Sequence, residues 1–277
     1  MYQDVADLNA FYRTRLGQVA RRVMLARVRS MWPDVKGQRI MGLGYATPYL
    51  RVFQDEADRV MSFAPAPQGV IRWPDDEPAQ VCLTDDFALP LPDESVERIL
   101  MVHALEHSET RSALLREAWR VLAARGRLLV AVGNRRGLWA RADHTPFGHG
   151  YPFNEGQIDK LLRDSMFTPL ATEFTLYVPP TQRGLSLWSA PAWERIGRRW
   201  GLPLPGVVLV EASKQMYGAL PTAGRRSLRQ RIFVPGHPSA VESFRNDDDD
   251  AISDRRDGRA RTPPARRTGS PGPRTPT

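Results

Sequence analysis

A single cysteine, Cys82, in a chain of 277 residues excludes an intramolecular disulfide framework and a zinc cluster built on thiolates. No run approaches the roughly 20 apolar residues that a membrane span requires, and the N-terminus lacks the apolar core of a signal peptide. A cytoplasmic protein is the simplest expectation. Lysine is nearly absent too: of 39 basic residues only Lys36, Lys160 and Lys214 are lysine. A genome rich in G and C produces such an arginine bias as readily as nucleic-acid binding does. The formal net charge is +8, but no recognised nucleic-acid motif accompanies it. Arginines on solvated helix faces account for the charge, and no nucleic-acid partner is expected.

What the chain does have is alternation. From Leu89 to Asn134 two apolar runs, Ile99 to Val102 and Leu128 to Val132, flank a segment in which Leu114, Leu115, Ala118, Trp119 and Leu122 recur at helical spacing. Gly126 follows, where a helix C-terminus favours glycine. A crossover of this length between two buried strands implies a parallel sheet with helices on its faces. Further strands are expected at Gln38 to Leu43, Arg59 to Phe63, Gln80 to Thr84, Leu170 to Val178 and Gly206 to Lys214. Asp7 to Met31 reads as one helix whose stripe of Leu16, Val19, Ala20, Val23, Met24, Val28 and Met31 packs on the sheet. The alternative is a basic amphipathic helix lying on a membrane surface.

The strings LPLPDESVERILMVHALEH, LLREAWRVLAARGRLLVAVGN and HTPFGHGYPFNEGQIDKLLRDSMFTP resemble the small-molecule type of class I S-adenosylmethionine-dependent methyltransferase, over roughly Gly37 to Lys214. The resemblance implies an α/β, Rossmann-like, doubly wound sheet of seven strands, mostly parallel with the last antiparallel. It implies S-adenosylmethionine as cofactor, bound across the carboxyl ends of the first strands. Onto this chain it carries the cofactor positions Gly42, Gly44 and Ala46 at the first turn, then Asp85, Asp86 and Phe87 after the third strand, and His103 after the fourth. The pattern departs from the family in two places. Gly42 stands where an acid belongs, with Ala46 and Pro48 in place of two glycines, and the ribose-binding acid after Phe63 is missing.

His107, Glu106 and His144, in that order, are the candidate bases for a hydroxyl or amine acceptor. Each of the first two could equally hold the turn by hydrogen bonds. His103, Glu106 and His107 lack the spacing of a zinc protease motif, so no metal is expected. Trp139, His149 and Tyr151 in the loop after the fifth strand, with Trp188 and Trp193 in an insertion at about 179–205, are expected to wall the acceptor site. The alternative for the insertion is a short amphipathic helix packed on the body.

The expected organisation is an N-terminal helical segment over 1–36 and a methyltransferase-like domain over 37–235. A C-terminal extension follows over 236–277, disordered from about 245, where NDDDD and the Pro- and Arg-rich run offer too little apolar surface to fold. The functional expectation is methyl transfer to a small or lipid-like acceptor. The competing expectation is a catalytically inactive binding or regulatory protein on the same fold. The acceptor and the oligomeric state are not legible in the sequence.

Overall fold

The structure, a computed structural model, describes residues 2–181, 188–200 and 204–215, all within the first of two units, Met1–Pro221. The C-terminal extension and its expected disorder lie outside the described residues. Seven strands form one sheet: β1 (Arg39–Gly44), β2 (Arg59–Pro65), β3 (Val81–Thr84), β4 (Val96–Val102), β5 (Leu122–Gly133), β6 (Phe167–Thr175) and β7 (Val207–Lys214). Their spatial order is β3-β2-β1-β4-β5-β7-β6. The first five are parallel, and β7 runs antiparallel to both β5 and β6. This is the Rossmann-like sheet expected.

Strand composition explains the layering. Alternate residues of each strand face opposite sides, so Ile40, Val60, Leu100, Leu129 and Leu209 meet one helical layer and Met41, Phe63, Ile99, Leu128 and Val208 the other. The first layer holds α1 (Val5–Arg13), α2 (Arg15–Met31) and the single turn α3 (Thr47–Leu50). The second holds α4 (Arg111–Val121) and α5 (Glu155–Asp164). A further helix, α6 (Ala190–Trp200), packs beside α2 and β6.

The N-terminal segment packs on the sheet, as the stripe indicates: Leu16, Ala20, Met24 and Val28 are buried, and Val19, Val23 and Met31 are half-buried against the same cluster. It is two helices, however, not one. Thr14 is extended, its Oγ1 accepts from the Gly17 amide (3.0 Å) and donates to the Phe11 carbonyl (2.7 Å). A threonine that closes one helix and caps the next satisfies backbone groups that would otherwise be orphaned. The bend swings α1 off the sheet face and over the carboxyl ends of the strands, where Tyr12 is placed beside His103. Among the described residues no helix is long and apolar enough to cross a membrane.

Candidate functional site

The carboxyl ends of β1 to β4 share one edge of the sheet, the place where ligands of open α/β sheets collect. The chain leaves β1 at Gly44 with φ +81°, a conformation glycine adopts freely. The turn lies against β4: the Tyr45 amide donates to the Val102 carbonyl (2.8 Å), and a Cβ on Gly44 would stand 2.8 Å from that of Ala104. At Gly42 a Cβ would stand 2.6 Å from Leu50 Cδ1 and 2.8 Å from Ala46 Cβ. Ala46 and Leu50 are fully buried. The family's acid is thus missing together with the space for it.

At the end of β2 the backbone runs Ala64-Pro65 and offers no carboxylate. Gln68 comes in from the following loop instead. It is buried, its Nε2 donates to the His103 carbonyl (3.0 Å), and its own carbonyl accepts from the Val5 amide (2.8 Å). Because His103 O can only accept, the amide orientation is fixed and Gln68 Oε1 is the free end. That oxygen is buried with no donor among the described residues.

After β3 the two adjacent acids separate. Asp85 is exposed, and its backbone carbonyl accepts from the Ala88 amide (3.3 Å) and from Thr84 Oγ1 (3.3 Å). Asp86 turns inward: its Oδ2 accepts from Tyr2 Oη (2.6 Å) and Ser108 Oγ (2.8 Å), while Oδ1 is buried with no donor among the described residues. Burial, with the Asp86 carboxylate adding to it, pushes the Tyr2 phenol well above its ordinary range, so Tyr2 remains a donor to Asp86. Phe87 is 61% exposed.

After β4 comes His103, a non-glycine residue at φ +50°. Strain of this kind persists only where the surroundings over-determine it, and here they do. The buried ring lies 4.8 Å from Phe147, and its Nε2 is 2.8 Å from Tyr12 Oη, which accepts in turn from Tyr49 Oη (2.8 Å). Tyr12 Oη and the His103 ring nitrogen share one buried hydrogen bond. Burial, with the neighbouring His107, lowers the His103 pKa to about 3. The ring is a neutral strut that joins α1 to β4.

Glu106 and His107 follow in the same turn. Glu106 Oε1 accepts from the Gly133 amide (3.1 Å), and Oε2 is buried with no hydrogen-bond partner among the described residues. Burial raises its pKa to about 7, against the pull of backbone amides. The buried His107 ring is 6.2 Å from that of Tyr2, and it lies so close to Gly150 that a Cβ there would come within 2.9 Å of Nδ1.

A cavity of about 800 Å³ opens between the start of α1 and the loop 143–150, with Tyr2, Pro67, His107, His144 and His149 on its walls. His144 Nε2 lies 3.0 Å from the Pro180 carbonyl and His149 Nε2 2.8 Å from that of Asp143. A carbonyl only accepts, so both rings carry their proton on Nε2 and present Nδ1 as the basic nitrogen.

The structure thus brings His107, His144 and His149 to one cavity, but not the four other expected wall residues. Trp139 is fully buried, with its Nε1 donating to the Val178 carbonyl (2.8 Å), and belongs to the core. Tyr151 is half exposed under the Arg111 guanidinium, 4.6 Å from its ring centre. Trp188 and Trp193 sit just before and on α6, beside α2 and β6, and the cavity does not include them. Trp188 is 83% exposed, so Trp188→Ala is expected to change stability by less than about 0.5 kcal/mol in a denaturant titration. A loss like that of a core tryptophan would show that it has a partner. Sequence reasoning missed Tyr2, Tyr12 and Gln68. They lie in the N-terminal segment and a loop, and only the tertiary fold lays them over the strand ends.

Residues 41–130 match the family model described as a methyltransferase domain. No curated protein matches the chain. Among solved structures, a chain of the complex between the Haloferax volcanii Trm112 methyltransferase activator and a methyltransferase aligns at 16% identity, covering 70% of this chain and 89% of that one, with TM-score 0.54. An S-adenosylmethionine-dependent methyltransferase of Thermotoga maritima aligns at 17% identity over 76% of this chain and 96% of its own, with TM-score 0.53. One from Archaeoglobus fulgidus aligns at 16% identity over 70% and 94%, with TM-score 0.51. At these identities the structures establish the fold, and the family match adds the sequence of its first five strands. Residues 41–130 thus match a methyltransferase-domain model, and the chain has the class I methyltransferase fold.

Proposed function

We propose that this chain binds S-adenosylmethionine at the carboxyl edge of β1 to β4 and transfers its methyl group to a small or lipid-like acceptor in the adjoining cavity. The observation that carries the reading is a set of buried acceptors without donors among the described residues: Gln3 Oε1, Gln68 Oε1 and Asp86 Oδ1. Leaving such atoms unpaired costs roughly 1–3 kcal/mol each, and every one of them asks for a donor. The cofactor's ammonium, ribose hydroxyls and adenine amine are donors. The residues present therefore fit its chemistry, though Gln68 and Asp86 stand in for acids that this chain lacks at Gly42 and after Phe63.

When bound, the cofactor supplies a methyl group already activated on a sulfonium, so the protein's work is positioning and the exclusion of water. Tyr2 and α1 cover the edge from above, and His107 and His144 face the cavity where an acceptor proton could be taken up. Glu106 does not reach the cavity. It holds the turn through the Gly133 amide and acts as a positioning residue for its neighbour His107.

A second reading, a binding protein without turnover, is favoured by one observation: the Gly42 site is filled by Leu50 and Ala46. Calorimetric titration with S-adenosylhomocysteine separates the two readings. Wild-type protein is expected to bind, and Gln68→Leu, which removes the acceptor but keeps the bulk, to bind roughly tenfold more weakly. An absence of heat with wild-type protein at millimolar ligand would leave the non-catalytic reading standing alone.

A further inference from the structure

Helix α6 is docked on the body by its least apolar stripe. Ala190, Glu194 and Gly197, at i, i+4 and i+7, are its buried residues. Glu194 Oε1 accepts from the Tyr177 amide (2.6 Å) and Oε2 from Thr175 Oγ1 (3.2 Å), and a Cβ on Gly197 would collide with the Tyr177 ring. These contacts fix the rotation of the helix about its own axis. The adjoining stripe, Trp193, Ile196 and Trp200 at i, i+3 and i+7, is thereby held outward. Trp200 is 77% exposed and Ile196 49%, and Trp193 is exposed with them, as are Trp188 just before the helix and Leu204 just after it. The other tryptophans of the chain, Trp32, Trp73, Trp119 and Trp139, are buried or half-buried. A lone exposed apolar residue needs no explanation, but a continuous stripe marks an interaction surface.

The stripe is bordered by positive charge. From Trp188 to Leu204 the one acid, Glu194, stands against Arg195, Arg198 and Arg199, and Arg195 and Arg199 are exposed one turn apart. Between α2 and α6 opens a groove of about 380 Å³ in which Arg22, Arg27 and Arg195 surround Val23, Ala26 and Pro191. Arg27 pairs there with Glu173 (3.6 Å). The only carboxylate on the groove wall is Glu194, already engaged by Tyr177 and Thr175.

The charge decides what the stripe fits. A second copy of this face would set the same arginines against one another, whereas an anionic surface complements them. Tryptophan favours the boundary between water and acyl chains, with its ring in the apolar part and its N–H among the headgroups. A helix with an apolar stripe and a basic flank lies in that boundary and does not cross it. We propose that α6 docks this protein on the surface of an anionic lipid bilayer: Trp193, Ile196 and Trp200 enter the acyl boundary, and Arg22, Arg195 and Arg199 meet the lipid phosphates.

The test is flotation of the full chain with vesicles of phosphatidylcholine alone, and of phosphatidylcholine with about 30% phosphatidylglycerol, at about 0.05 M and about 0.3 M salt. Binding is expected to the anionic vesicles, more weakly at the higher salt. Trp200→Ser is expected to lower partitioning roughly tenfold and Ile196→Ser roughly fivefold. Arg199→Gln should lower it roughly fivefold on anionic vesicles only. All three side chains are exposed, so the melting temperature should hold. Arg163→Gln, on α5 in the layer across the sheet, should float as wild type. The proposal is overturned if the full chain does not bind anionic vesicles, or if Arg163→Gln weakens binding as much as Arg199→Gln. It is also overturned if Trp200→Ser and Ile196→Ser float as wild type, for charge alone would then hold the chain. A dimer in sedimentation that Trp200→Ser abolishes, without vesicle binding, would assign the face to a second copy and overturn it as well.

Discussion

Gly42→Asp, which restores the acid that methyltransferases of this type carry at the end of β1, is expected to destabilise the protein by on the order of 5 kcal/mol and to leave cofactor affinity no better. Two effects add. The new Cβ would meet Ala46 Cβ at 2.8 Å and Leu50 Cδ1 at 2.6 Å. Leu50 can rotate away, but Ala46 Cβ is fixed to the backbone, so the turn itself must move, which overpacking data put at about 1–3 kcal/mol. The carboxylate would also be buried against apolar neighbours, and an unpaired buried charge costs several kcal/mol even after relaxation. Gly42→Ala carries only the first cost and separates the two. In denaturant titrations the order should be wild type, then alanine, then aspartate, with a large gap at the last step. A Gly42→Asp variant as stable as wild type that binds S-adenosylhomocysteine more tightly would show that the site has kept room for the family's acid.

Glu106→Gln is expected to remove a dependence of stability on pH that the wild type carries. Burial raises the Glu106 pKa from 4.5 to about 7 in the folded chain, so folding favours the protonated form. The corresponding stability is complete below about pH 4.5 and is lost as the pH rises through 7, amounting to about 3 kcal/mol. His103 works in the other direction. Its pKa is depressed from 6.5 to about 3, so its contribution is present above pH 6.5 and lost as the pH falls toward 3. Between about pH 4.5 and 6.5 the two slopes oppose each other in the wild type. Glutamine cannot titrate, yet its Oε1 can still accept from the Gly133 amide. The difference between wild-type and variant unfolding free energies should therefore fall by about 3 kcal/mol from pH 4.5 to 7.5 and be level beyond. A difference constant with pH would mean that Glu106 is ionised throughout.

The sheet was legible because its information is local and repeated. Each strand is a short apolar run between turn residues, and the segment from Val96 to Gly133 carries a strand, a helix and a strand in full. The break at Thr14 was not, since the apolar stripe continues across it and only the capping geometry reveals the corner. Asp85 and Asp86 are adjacent in sequence, and which one turns inward depends on Tyr2 and Ser108, 84 and 22 residues away. Trp139 illustrates the same limit: a tryptophan in a loop reads as a pocket wall, but its indole N–H finds the Val178 carbonyl and the ring becomes core. The aromatic density of the 179–205 insertion gave no more reliable a guide, for it describes a helix lying beside α2 with Trp188 and Trp200 turned to solvent. Residues that reach the strand ends from distant segments leave no mark on the sequence around them.

The central claim is that the carboxyl edge of β1 to β4 holds the cofactor through acceptors of its own, and a crystal structure of the full chain grown with S-adenosylhomocysteine tests it most directly. The account predicts the ligand at that edge, with Gln68 Oε1 and Asp86 Oδ1 each accepting a hydrogen bond from it and Gly42 still packed against Ala46. A crystal saturated with ligand in which Gln68, Asp86 and Tyr2 keep their present partners and the edge holds no nucleoside would contradict it.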